Sequence, residues 1–136
     1  MQRDQLSILV VDDDEATRYT IARILRSSGF KTMEAVSGAE ALEFAAYVSA
    51  VILDIHLPDL IGWEVCRLLR SNPATAKLPI IHHTARYTSG QDRAESIASG
   101  ADVLFTSPVD GAALVQTLDR LLRVAPMESR RAAPSR

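Results

Sequence analysis

Three acidic side chains stand directly behind apolar runs short enough to be buried strands. Asp54 ends the run Ala50-Val51-Ile52-Leu53, and Asp12 and Asp13 follow Leu6-Ser7-Ile8-Leu9-Val10-Val11. An acid at the carboxyl end of a central strand opens into the crevice where open α/β sheets bind ligands, so Asp54 suits a nucleophile, a metal ligand or both. The plainer role for such an acid is to cap the following helix. That role accounts for Asp14 but leaves Asp12 and Asp13, whose mutual repulsion needs a reason. Thr84, behind Leu78-Pro79-Ile80-Ile81-His82-His83, and Ser107, behind Val103 to Thr106, end two further strands. Brought to one edge, three carboxylates and a hydroxyl suit a hard divalent cation such as Mg²⁺, which prefers oxygen ligands and bridges readily to phosphate. An aspartate beside that cation can accept a phosphoryl group, because the metal offsets both nucleophile repulsion and developing charge. A threonine opposite can donate to a phosphoryl oxygen.

This convergence requires a particular scaffold. Helical periodicity over Glu15 to Ser28 places Thr17, Ile21, Ile24 and Leu25 on one face, with Gly29 as the stop. Phe30 to Ala35 alternates as an edge strand does. Ser37-Gly38-Ala39-Glu40 has the form of a capping box, opening a helix with Leu42, Ala45 and Ala46 inward. After the Leu57-Pro58-Asp59 turn, Ile61, Val65, Leu68 and Leu69 mark the buried face of a third helix, and Trp63 and Cys66 read as packing residues. Tyr87 to Gln91 reads as a loop. A fourth helix from about Asp92 to Ser99 has only Ala94, Ile97 and Ala98 to bury, and Gly100 ends it. Asp110 caps a fifth with Leu114, Leu118, Leu121 and Leu122 inward. Five strands alternating with five helices predict an α/β fold, a parallel sheet covered on both faces; the edge-like second and fifth strands fit the order 2-1-3-4-5.

With 136 residues the chain has room for one core, and 47% hydrophobic and 24% charged residues are ordinary for a soluble domain. Residues 1–124 form the expected domain and 125–136 a flexible tail or truncated linker, rich in Pro, Ser, Ala and Arg. A net charge of −2 gives no reason to expect direct nucleic-acid contact. Cys66 is the single cysteine, so no internal disulfide can form. The start is polar, without the apolar segment of a signal peptide, and no run approaches the roughly 18 apolar residues of a membrane span. A cytoplasmic protein without membrane contact is expected.

The ordered pieces Ile8 to Asp14, Leu53-Asp54-Ile55-His56-Leu57-Pro58, Gly62, Pro79-Ile80-Ile81 before Thr84-Ala85, Gly100-Ala101-Asp102 and Pro108 resemble the receiver domain of bacterial two-component response regulators. The likeness runs from about Leu6 to Val124 and implies a flavodoxin-like (βα)5 fold. It also implies that Asp54 is the phospho-acceptor. Asp13, Asp54 and the main-chain carbonyl of His56 are implied as Mg²⁺ ligands, with Asp12 acting through water and Thr84 as the switch hydroxyl. A cis peptide at Ser107-Pro108 is implied too.

Two positions depart from the family pattern. Ser107 stands where the family usually has a lysine that pairs with the acidic site, and Leu104 stands where an aromatic rotamer switch is common. Arg86, two residues past Thr84, is the nearby candidate for the missing charge, with a solvated loop residue as its plainer reading. Thr84 has strand propensity as a sufficient alternative explanation. His82 and His83, on opposite faces of their strand, read as packed or hydrogen-bonded residues rather than metal ligands. His56 reads as an exposed loop residue at the rim, and Arg130-Arg131 as part of a solvated tail.

The implied function is a phospho-accepting signalling domain served by a histidine kinase or phosphotransfer protein. It would act on a downstream partner or output domain, with a homodimer through the fourth helix, fifth strand and fifth helix also open. Beyond its own phosphorylation and dephosphorylation it is not expected to be an enzyme. Two alternatives stay open. One is a pseudo-receiver, using the same surface for phosphorylation-independent binding. The other is a Mg²⁺-dependent phosphohydrolase, which resembling enzymes build on Asp-x-Asp, whereas this chain has Asp54-Ile55-His56.

Overall fold

Strand and helix alternate along the chain in a computed structural model that describes residues 2–84 and 90–125. After a 3-10 turn at Arg3–Gln5 come β1 (Ser7–Val11), α1 (Glu15–Ser27), β2 (Lys31–Ala35) and α2 (Gly38–Phe44). A second 3-10 turn (Ala45–Tyr47) leads into β3 (Ala50–Asp54), α3 (Gly62–Ser71), β4 (Ile80–Thr84), α4 (Gly90–Ala98), β5 (Val103–Thr106) and α5 (Gly111–Leu122). All strand pairs are parallel and the order is β2-β1-β3-β4-β5, the arrangement that the edge-like second and fifth strands fit. None of the described helices is long and apolar enough to cross a membrane.

Period-two alternation sends successive side chains to opposite faces, so each strand feeds two cores. Ile8, Val10, Ile52 and Ile81 meet Ile21 and Leu25 of α1 and Leu114 and Leu118 of α5. Leu9, Val11, Val51, Leu53 and Ile80 meet Ala41, Ala45, Val65, Cys66 and Leu69 on the other side. The helix starts are fixed by side chains. Asp14 accepts from the Thr17 amide at 2.9 Å, Ser37 from Glu40 at 3.1 Å and Asp110 from Ala113 at 3.2 Å. The Glu40 carboxylate turns back to the Val36 amide at 2.8 Å, one residue before the cap. At Gly29 the backbone takes φ 99°, which releases the chain from α1 into β2.

Three helix faces differ from expectation. In α3 the buried stripe is Val65, Cys66 and Leu69, while Ile61 and Leu68 are exposed. Ile61 is the N-cap residue rather than part of the helix, and Leu68 lies three positions past Val65, off the stripe. In α2, Ala41 and Ala45 are buried but Ala46 faces solvent, because α2 has given way to a 3-10 turn there. In α4, Ala94, Ile97 and Ala98 face outward, and Ser96 and Ser99 are buried. The cause is His82 on β4. Its buried ring contacts the Ser96 hydroxyl through Nδ1 at 2.5 Å and the Gly62 carbonyl through Nε2 at 3.1 Å. The carbonyl can only accept, so Nε2 carries the proton and Nδ1 accepts from Ser96. Burial holds this imidazole down to about 4 and hence neutral.

Thr17 and Ile24 are only partly buried in α1, with Ala22 completing its core face, and Leu121 and Leu122 are partly buried in α5. The expected loop at Tyr87 to Gln91 lies mainly outside the described residues, and Gly90 and Gln91 already belong to α4. Arg86 and the expected tail from 126 onward also lie outside them.

Candidate functional site

Strand pairing delivers the acids. The Asp12 amide donates to the Ala35 carbonyl at 3.1 Å, holding the chain in line with β1 for one residue beyond the strand. Its Oδ1 accepts from the Asp14 amide at 2.8 Å, and Arg18 donates to its carbonyl at 2.9 Å. Asp13 points out to the rim and lines a cleft with Ile55, His56, Leu57 and Pro58. Asp54 is the last residue of β3, and its Oδ1 accepts from the His56 amide at 3.1 Å.

The loop beyond Asp54 is fixed from both sides. Gly62 donates its amide to the Ile55 carbonyl at 2.7 Å, and a Cβ there would come within 2.7 Å of the Ile55 Cα and 2.8 Å of the Asp54 carbonyl oxygen. Only glycine permits that approach. Asp59 accepts from the Gly38 and Ala39 amides at 2.8 and 2.9 Å, tying the Leu57-Pro58-Asp59 turn to the start of α2. Thr84 ends β4, buried, and its carbonyl accepts from the Ser107 amide at 2.8 Å. The Ser107-Pro108 peptide is cis.

The electrostatics are those of gathered, partly desolvated acids. The Asp54 carboxyl is pushed up to about 7, first by burial and then by the charge of Asp12, against the His56 amide. Burial also raises Asp12, with Asp13 and Asp14 adding repulsion. Among the described residues no lysine or arginine forms an ion pair with Asp54. Such a cluster matches the chemistry of a divalent cation with oxygen ligands. Asp12 and Asp54 thus stand together at the strand ends, Asp13 is near enough for its charge to raise Asp54, and Thr84 and Ser107 are tied to each other through their backbones at the ends of β4 and β5.

One member of the site is not legible in the residue types alone. His83, expected to be a packed or hydrogen-bonded strand residue, is 1% exposed and places Nε2 3.4 Å from Oδ2 of Asp12. Neither of its ring nitrogens has a hydrogen-bond partner among the described residues. A buried polar group left so costs about 1–3 kcal/mol. Burial brings its pKa down to about 4; the Val11 carbonyl is near enough to oppose this but lies outside hydrogen-bonding geometry. Counting strand parity back from Thr84 separates His83 from His82, but only the register Asp54↔His83 puts it beside the acids.

Similarities to known proteins agree with this geometry. The family described as the response regulator receiver domain matches residues 8–119. Response regulator MprA of Mycobacterium ulcerans is 40% identical over 130 residues, covering 94% of this chain and 55% of that protein. The chain spans about half the length of the curated relatives it matches. Among solved structures, the receiver domain of sensor histidine kinase PA1611 from Pseudomonas aeruginosa has a magnesium ion coordinated in its active site cleft. It superposes with a TM-score of 0.79 at 28% identity, over 86% of this chain and 97% of that one. A CheY-like receiver domain protein from Methanospirillum hungatei gives a TM-score of 0.79 at 27% identity, over 87% and 94%. With strand order, acidic crevice and sequence match in agreement, the chain belongs to the receiver domain family of two-component response regulators.

Proposed function

We propose that this domain accepts a phosphoryl group on Asp54 in a Mg²⁺-dependent reaction and passes a conformational change to a partner. The observation that carries the reading is the crowding of Asp12, Asp13 and Asp54 at one strand edge, with the Asp54 carboxyl raised to about 7. A carboxylate in that state is made reactive and stable together by a cation. Asp13, Asp54 and the His56 carbonyl would hold Mg²⁺, with Asp12 acting through water. When bound, the metal offsets charge on the nucleophile and the phosphoryl oxygens.

The chain's own groups do the rest. One Asp54 oxygen is fixed by the His56 amide, leaving the carboxylate oriented to attack phosphorus in line. The new bond is O–P, and the bond that breaks is the N–P bond of a donor phosphohistidine, which leaves with the electron pair. Thr84, at the end of β4, supplies a hydroxyl for a phosphoryl oxygen. The donor is a histidine kinase or phosphotransfer protein in the cytoplasm. The recipient of the signal is a downstream protein or an output domain, and α4, β5 and α5 are available for self-association. No turnover of an external substrate is proposed beyond the domain's own phosphorylation and dephosphorylation.

Ser107 favours a second reading, a phosphorylation-independent interaction module, because the family's usual lysine is missing there. Incubation with acetyl phosphate and Mg²⁺, followed by intact mass, separates the two. A gain of one phosphoryl group, lost in Asp54→Asn, supports phospho-acceptance; an unmodified chain supports the interaction module.

A further inference from the structure

Asp12, Asp54 and His83 stand abreast across three neighbouring strands. Asp54 and His83 are register partners, and Asp12 follows Val11, which pairs with Leu53. By alternation all three side chains leave the sheet on the face shared with α1 and α5. One donor atom from each lies within 4.8 Å of the other two, and all three residues are buried. Oδ1 of each acid is already held by a backbone amide, from Asp14 and His56. Oδ2 of Asp12 instead faces the unpartnered Nε2 of His83.

We propose that Asp12, Asp54 and His83 form a binding site for a first-row transition-metal dication, with His83 supplying a nitrogen ligand. Mg²⁺ takes oxygen and water, whereas imidazole suits later first-row metals, whose affinity for a nitrogen-containing site rises from Mn²⁺ toward Cu²⁺ and remains high for Zn²⁺. Donors around a tetrahedral ion with bonds of about 2.1 Å stand about 3.4 Å apart. The Asp12–His83 edge already has that spacing at 3.4 Å. The other two donor pairs lie within 4.8 Å. The site differs from the expected Mg²⁺ set by replacing Asp13 and the His56 carbonyl with His83 and direct ligation by Asp12. It shares Asp54, so the two metals exclude each other. The proposal does not rest on phosphorylation of Asp54.

The test uses the full chain, labelled with ¹⁵N, and Zn²⁺ as the probe. Stoichiometric Zn²⁺ is expected to move a ring nitrogen of His83 into the metal-bound range while leaving His82 in place, and excess Mg²⁺ is expected to cause no such shift. In parallel, Co²⁺ binding is read by visible absorption in wild type and His83→Val. Loss of the imidazole is expected to weaken Co²⁺ at least about tenfold. Unmoved His83 nitrogens at saturating Zn²⁺, or equal Co²⁺ affinity in wild type and His83→Val, would overturn the site. Should His83→Val fail to fold, the ring-nitrogen shifts of the wild type decide alone. Failure of Mg²⁺ to bind, with His83 still coordinating Zn²⁺, would count against the phospho-acceptor reading only.

Discussion

The Ser107 amide donates to the Thr84 carbonyl at 2.8 Å, so the end of β5 is locked beside the end of β4 while its side chain brings no charge. The peptide at the position of the family's usual lysine is therefore held at the strand end without the lysine's charge. Ser107→Lys is expected to lower the Asp54 pKa, because a nearby ammonium favours the carboxylate. It should also enlarge the chemical-shift changes across residues 92–123 when beryllofluoride and Mg²⁺ are added. NMR of the two proteins checks this; identical shift patterns would show that the switch works without that cation.

The raised carboxyl of Asp54 makes stability depend on pH in a defined direction. Its folded pKa, about 7, lies above the ordinary 3.8, so the folded state keeps a proton that the unfolded chain releases. Stability from this group is complete below the unfolded value and falls as pH rises through 7, by at most about 1.4 kcal/mol per unit. Asp12 shifts the same way and adds to the slope. In EDTA, wild type should lose several degrees of melting temperature between pH 5 and pH 8 relative to Asp54→Asn. A pH-independent difference between the two would refute the burial argument.

Gly62→Ala would drive a methyl group into the Ile55 Cα and the Asp54 carbonyl, at 2.7 and 2.8 Å. These are backbone atoms and cannot rotate away. The expected cost is about 1–3 kcal/mol by denaturant unfolding, together with slower phosphorylation as the loop after Asp54 shifts. Wild-type stability in this variant would mean that the loop is more accommodating than its contacts indicate.

Ser96→Ala removes the hydroxyl that satisfies His82 Nδ1 and leaves a buried acceptor orphaned. Destabilisation of about 1–3 kcal/mol is expected. Replacing both partners, as in His82→Leu with Ser96→Ala, should recover part of that loss, because no orphaned nitrogen then remains. A double mutant no more stable than Ser96→Ala would locate the importance of the pair elsewhere.

The strands and the helix caps at Asp14, Ser37 and Asp110 are legible in residue type and spacing. Apolar runs such as Ala50 to Leu53 can be buried on both faces only within a covered parallel sheet, and such a sheet brings its carboxyl ends together. Asp12 and Asp54 therefore stand side by side, and Thr84 ends the next strand, for reasons visible in residue type and spacing. What tertiary structure decided is which neighbour each strand residue faces. His82 and His83 are chemically identical and adjacent in sequence, yet one hydrogen-bonds α4 and the other lies against Asp12. That assignment depends on strand register, a non-local property that residue spacing does not encode. The same holds for α4, where helical periodicity favoured Ile97 as a core residue. The buried imidazole of His82 instead demanded a hydroxyl, turning Ser96 inward and leaving Ile97 73% exposed.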